Sequence, residues 1–179
     1  MSSVGPPPHP PRGQNVFGIV GWKNAGKTTV TERLVAEFTR RGRRVSTIKR
    51  AHHDADVDEP GRDTYRHRRA GAQEVALVTG KRWALMHECG DEPEPTLTDI
   101  LGRMGPADLI LVEGFKGDPH PKLEVRSDDA GPPGSPDALH NIIAYASDTP
   151  IPDSQHPLFP RDDITGIADF IEKTLGLAP

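Results

Sequence analysis

Eight consecutive residues carry the strongest chemical signal in the chain. Gly21-Trp22-Lys23-Asn24-Ala25-Gly26-Lys27-Thr28 fits G-x-x-x-x-G-K-[ST] at every required position. In that pattern the glycines let the backbone curl with its N–H groups inward, which makes a nest for phosphate oxygens. A following helix adds its unsatisfied N-terminal amides and the positive end of its dipole. Lys27 is then expected to reach the β- and γ-phosphates as a catalytic cation. The Thr28 hydroxyl is expected on Mg²⁺, and Thr29 beside an α-phosphate. Gly21, Lys23, Asn24, Ala25 and Gly26 form the wall of the nest.

Such a site needs an acid near the metal. Asp108-Leu-Ile-Leu-Val-Glu113 reads as an apolar strand with a carboxylate at each end. Ligands collect at the C-terminal ends of parallel strands. Glu113 is therefore assigned to the metal shell and to catalysis, and Asp108 to the opposite edge of the sheet. A second acidic group follows the second strand: His52, His53, Asp54, Asp56 and Asp58. A solvated acidic loop, a switch-like loop with an Asp on the metal or the attacking water, and a transition-metal site all remain open. If one carboxylate works there, Asp56 (catalysis and metal) or Asp54 (metal) is the expected one, because the second strand is expected beside the phosphate-loop strand. The guanine-reading run [TN]-K-x-D is absent. Asp148, after a late strand, is the candidate for accepting hydrogen bonds from a guanine, and the residues alone leave GTP and ATP open.

The elements that would position these groups follow from the apolar pattern. Asn15 to Gly21 predicts a buried strand, and Lys27 to Arg41 a helix with Val30, Leu34 and Phe38 every four residues. Val45 to Ile48 predicts the second strand, Lys49 to Gly61 a loop, and Asp63 to Ala70 a short basic helix. Glu74 to Thr79 and Arg82 to His87 read as a hairpin about Gly80-Lys81. Asp91 to Pro95 is a linker, and a helix runs from Thr96 to about Met104. Strands are expected at Asp108 to Val112, Lys122 to Val125 and Asn141 to Ala146, with a loop at Ser127 to Asp137 and a helix at Ile164 to Leu175. Alternating strands and helices predict an α/β, three-layer P-loop NTPase fold with a mostly parallel central sheet and an antiparallel hairpin extension.

At 179 residues the chain has the length of one domain, expected over 14–179 behind a disordered Pro-rich leader at 1–13. Its 34% hydrophobic content supports a core. No apolar run approaches a membrane span, no secretory signal is visible, and Cys89 is the single cysteine, so the chain reads as cytoplasmic. Charge is uneven: residues 1–90 carry 16 Lys/Arg against 9 Asp/Glu, and residues 91–179 carry 6 against 17. Ten cations lie between Arg40 and Arg69. They make either a solvated helix face or a surface for phosphorylated ligands, and the net charge of −4 argues against nucleic acid. Trp83, Leu85 and Met86 in the hairpin suit an interface or an edge packed on its own core equally well.

The motifs together resemble the molybdopterin-guanine dinucleotide biosynthesis protein B family. The likeness rests on the phosphate loop, Ile48 to Ala72 (IKRAHHDADVDEPGRDTYRHRRAGA), Arg82 to Met86 (RWALM) and Asp108 to Ser127 (DLILVEGFKGDPHPKLEVRS), and it covers roughly Val16 to Leu175. It implies a GTP- and Mg²⁺-binding homodimer with weak GTPase activity, assisting the MobA-like guanylyltransferase that attaches GMP to molybdopterin. It also implies that Gly114-Phe115-Lys116 and the basic run Arg62 to Arg69 face the pterin or the partner. The leader and the insertion at Asp129 to Pro136 depart from the family pattern. A metallochaperone GTPase built on His52 to Asp58, a small-molecule kinase using Arg62, Arg66, Arg68 and Arg69 as a lid, and a non-catalytic binding module are the alternatives.

Overall fold

The computed structural model describes residues 14–51, 57–127, 140–152 and 154–177. The expected leader, His52, His53, Asp54 and Asp56, and most of the expected Ser127 to Asp137 loop lie outside the described residues. The chain divides into two compact units, one made of residues 1–50 with 97–179 and the other of residues 51–96.

In the first unit, β1 (Val16–Gly21), α1 (Lys27–Arg40) and β2 (Val45–Lys49) open the chain. After the second unit come α3 (Leu97–Arg103), β5 (Leu109–Glu113), β6 (Lys122–Val125), β7 (Ile142–Ala146), β8 (Leu158–Phe159) and α4 (Ile164–Leu175). The six strands form one parallel sheet in the order β2-β5-β1-β6-β7-β8. This corrects one expectation, since β2 does not neighbour β1. The apolar β5 lies between them, buried along its whole length, as the centre of a sheet covered on both faces demands. Strand β8 was not expected either. It is two residues of Pro-Leu-Phe-Pro at the sheet edge, too short and too Pro-flanked for the alternation signal.

Alternate residues of these strands supply two cores, and that is what makes three layers. Phe17, Ile19, Leu109, Leu111, Leu123 and Val125 pack against Val30, Leu34 and Phe38 of α1 and Ile167 and Ile171 of α4. Val16, Ile48, Ile110, Val112 and Phe115 pack on the other side against Leu97 and Leu101 of α3. The connection from β5 to β6 has no helix. It is pinned by Lys122, a fully buried side chain whose ammonium donates to the carbonyls of Asp118, His120 (2.9 Å) and His140 (3.0 Å). Burial pushes that ammonium down to about 8.

The second unit holds α2 (Asp63–Arg69) and an antiparallel pair, β3 (Glu74–Val78) and β4 (Trp83–His87), which is a sheet of its own. Thr79 N–H donates to the Arg82 carbonyl (2.9 Å), closing the hairpin at the expected turn. His87 bridges Glu74 (2.9 Å) and Glu92 (3.0 Å), and these hydrogen bonds raise its pKa. Leu77, Val78, Trp83 and Leu85 are exposed.

Helices α1 and α4 are joined at their ends by an ionic clamp. Arg41 reaches Glu37 (2.8 Å), Asp169 (2.7 Å) and Glu172 (2.7 Å), and Arg43 reaches Glu172 (3.0 Å). Hydrogen bonds from Arg40 and Arg41 hold the Glu37 carboxyl down to about 2. A carboxyl depressed in this way stabilises the fold above its ordinary value of 4.5 and loses that contribution as the pH falls toward 2. Arg41→Met is expected to cost about 1–2 kcal/mol by urea denaturation at neutral pH. The gap should narrow below pH 4.5. A gap equally wide at about pH 3 would show that the clamp acts by packing alone.

Candidate functional site

The phosphate loop is forced by close backbone approach. Gly21, the last residue of β1, has φ 145°, and a Cβ there would lie 2.3 Å from the Val125 carbonyl oxygen of β6. No side chain fits, so the glycine that opens the motif is required by the neighbouring strand as well as by any ligand. Beyond it Asn24 (φ 66°) and Gly26 (φ 90°) are left-handed, the alternation that builds an anion nest. Gly26 is the N-cap of α1, and the first helical hydrogen bond is Val30 N–H to the Gly26 carbonyl (3.0 Å). The amides of Lys27, Thr28 and Thr29 thus stand in the first turn, which has no acceptor one turn back. Ala25 is buried in the core, and Lys23 and Asn24 are exposed.

Three strand ends bring the charged groups to this helix terminus. In β5 the residues Leu109, Leu111 and Glu113 share the face that packs on α1. Glu113 is 8% exposed and lies opposite Ile19 in β1 and Lys49 in β2. Thr28 Oγ1 is 3.2 Å from Glu113 Oε1 and 3.4 Å from Oε2. Lys49 Nζ is 3.3 Å from Glu113 Oε1 and donates to Thr28 Oγ1 at 3.3 Å. Lys27 Nζ donates to the Trp22 carbonyl (2.7 Å). Burial lowers the Lys27 pKa; Glu113 opposes this, and Lys116 and Lys49 add to it. Lys49 and Lys27 therefore share one carboxylate at the mouth of the nest, with Lys116 near enough to Lys27 to lower its pKa further.

Lys116 owes its place to the turn after β5. Gly114 has φ 105°, and a Cβ there would lie 2.9 Å from Cβ of Arg50, so only glycine allows the sharp exit. Phe115 next to it is buried in the second core beneath the Arg50 guanidinium (5.3 Å to the ring centroid). Lys116 then emerges with Nζ 4.3 Å from the centroid of the Trp22 ring in the phosphate loop. Of Gly114-Phe115-Lys116, the phenylalanine is thus buried and the lysine side chain stands beside the phosphate loop.

A groove continues from the nest past Gly26, Thr29, Val30 and Arg33 to Asp148, Arg161 and Asp162. Asp148 sits in it, and both its oxygens are engaged by Arg161. The backbone N–H of Arg161 donates to Oδ1 (3.1 Å), and its guanidinium Nε donates to Oδ2 (2.6 Å). These hydrogen bonds lower the Asp148 pKa. Asp108 is at the far end of β5, bonded to Arg44 (3.0 Å), as its place at the strand start requires.

The remaining expected site residues are elsewhere. Asp58 accepts from Thr64 Oγ1 (3.0 Å) and the Glu59 amide (3.0 Å) within the second unit. Arg62, the N-cap of α2, pairs with Glu59, and within the helix Arg66 pairs with Asp63 and Arg68 with Glu88 (2.7 Å). No group of three or more His, Cys, Asp or Glu side chains that could hold a metal occurs among the described residues. Two residues beside the site escaped the sequence reading, Lys49 and Arg161, whereas Lys116 was reached through the family resemblance. Lys49 had a signal, because the last residue of a parallel strand is a ligand position. Arg161 follows a two-residue strand and had none.

A thioether- or thiolate-poor pair of oxygens, one hydroxyl and one carboxylate, is a donor set for a hard divalent cation such as Mg²⁺. The Lys49 ammonium, 3.3 Å from each of those oxygens, is a stand-in that marks the place as suited to positive charge.

The sequence matches the model of a protein family described as molybdopterin guanine dinucleotide synthesis protein B over residues 16–148. The molybdopterin-guanine dinucleotide biosynthesis adapter protein of Escherichia coli K12 is 40% identical over 161 residues, spanning 87% of this chain and 90% of the relative. Its counterpart in Haemophilus influenzae is 37% identical over 163 residues, 89% of each chain. A crystal structure of a MobB protein homolog from Bacillus stearothermophilus superposes with a TM-score of 0.69 at 30% identity, over 92% of this chain and 100% of that one. With this fold, this phosphate loop and this extent of similarity, the chain belongs to the molybdopterin guanine dinucleotide synthesis protein B (MobB) family.

Proposed function

We propose that this protein binds Mg²⁺–GTP and acts in the cytoplasm as an adapter for a MobA-like guanylyltransferase, which joins GMP to molybdopterin. One observation carries the nucleotide half of this reading: the Thr28 hydroxyl at the start of α1 meets the Glu113 carboxylate at the end of β5 beside the Lys27 ammonium. The adapter half is supported by the relatives named above.

Bound Mg²⁺ would supply neutralisation of the β- and γ-phosphate charge at Thr28 and Glu113. The chain's own groups do the rest. First-turn amides of α1 and the nest hold the phosphates, and Lys27 exchanges its bond to the Trp22 carbonyl for phosphate oxygen. If water attacks the γ-phosphorus, Lys27 and Lys116 stabilise the charge spreading over its oxygens. No arginine among the described residues stands at the Thr28–Glu113 pair, so turnover in the range of unstimulated GTPases, about 10⁻⁴ to 10⁻³ per second, is expected. The groove beyond Thr29 suits ribose and base, with Asp148 as acceptor for guanine N–H groups once Arg161 yields.

A second copy of this chain is the proposed cover for the hairpin. Val78 (72% exposed) and Trp83 (70%) are directly paired across β3 and β4, and a two-stranded sheet with bare apolar side chains is marginal by itself.

Lys27→Ala is expected to weaken GTP binding at least about tenfold in calorimetric titration. Capture of the cognate guanylyltransferase by the parent protein tests the adapter role. Binding ATP about tenfold better than GTP would turn the reading toward a kinase. Asp148→Ala should erase the preference for GTP over ATP while leaving ATP affinity within about twofold. Trp83→Glu should convert a dimer to a monomer by light scattering; a parent protein that is already monomeric would refute the hairpin interface.

A further inference from the structure

Lys49 is the last residue of β2 and has no place in the phosphate-loop motif, yet its ammonium caps the two oxygens assigned to the metal, which are themselves 3.2 Å apart. Its contacts are 3.3 Å to Thr28 Oγ1 and 3.3 Å to Glu113 Oε1. Both are longer than the ~2.7–2.9 Å of a tight charge-assisted bond. The side chain is also 59% exposed, whereas that of Glu113 is 10% exposed. The carboxylate is thus fixed, and the cation beside it is loosely held on a flexible four-carbon arm. The β2–β5 ladder enforces the meeting, because Lys49 and Glu113 are register partners on the face that packs on α1. A lysine there can swing into water, since most of its side chain is already solvent-exposed.

We propose that Lys49 is a built-in counter-ion that competes with the divalent metal for Thr28 and Glu113. This rests on the Mg²⁺–GTP reading and deepens it. With metal scarce, Lys49 supplies positive charge at that place and the nest accepts the triphosphate without a divalent ion. If Thr28 and Glu113 held a divalent ion, the Lys49 ammonium would give up its contacts to both and swing out on its exposed arm. Lys116 contributes to the same field from over the Trp22 ring, off the Thr28–Glu113 pair. Its loss would weaken both forms of the complex alike. Lys49 is therefore a positioning residue whose signature is the metal dependence of binding.

The test is GTP titration of the parent protein, Lys49→Met and Lys116→Met by calorimetry, each in EDTA and in saturating Mg²⁺. The quantity read is the ratio of the two dissociation constants. Lys49→Met should raise that ratio by at least about tenfold, mainly by weakening the metal-free complex. By linkage the Mg²⁺ concentration that half-saturates the GTP complex should fall by the same factor. Lys116→Met should weaken both complexes and leave the ratio within about twofold. A ratio unchanged in Lys49→Met, or raised equally in Lys116→Met, overturns the counter-ion and leaves the nucleotide reading standing. GTP binding to none of the three proteins under either condition overturns both.

Discussion

The register of β5 against β1 is the constraint on which the candidate site depends. Glu113 faces α1 because Leu111 and Leu109, two and four residues earlier, are buried against that helix. A slip of one residue would turn all three side chains to the α3 face and send the carboxylate into the second core. Burial of the leucines thus aims the acid. Apolar packing far from the phosphate loop determines that the Thr28 hydroxyl meets a carboxylate and not a hydrocarbon.

The same logic explains why so many charges are tolerated in one small volume. Lys27, Lys49, Lys116 and Glu113 each come from a different segment, and each is tied to a backbone feature that cannot easily move. Lys27 is held through its bond to the Trp22 carbonyl, Lys49 through its ladder partner, and Lys116 through the Gly114 turn and the buried Phe115. Like charges this near destabilise one another unless an anion intervenes, and Glu113 alone does not balance three ammonium groups. The surplus is positive, which is the field that a polyanionic ligand requires. Function and local instability are two descriptions of that surplus.

Away from the site, polar groups are buried for structural reasons. Lys122 closes the helix-free passage from β5 to β6 with three carbonyl acceptors, and Glu124 pairs with Arg126 (2.9 Å), whose guanidinium lies 4.6 Å from the Tyr145 ring centroid. In the PKLEV run the Lys122 ammonium is fully engaged, whereas the Glu124–Arg126 pair leaves Glu124 Oε1 and Arg126 Nε buried without a hydrogen-bond partner among the described residues.

Nearly all the elements were legible in the chain itself, because each strand and helix carries its own period of apolar residues. The phosphate loop was legible for the same reason: its eight residues are contiguous, and the conformation they need is local. The choice of Glu113 over Asp108 also followed from position along one strand. Strand order did not. The interposition of β5 between β2 and β1, and with it the meeting of Lys49 with Glu113 and Thr28, depends on pairings between residues more than sixty positions apart. The grip of Arg161 on Asp148 likewise comes from two loops joined only by the β7–β8 ladder. Composition and spacing act through neighbours in the chain, so they specify a phosphate nest. Only folding, which brings distant strand ends to one edge of the sheet, decides which charges surround it.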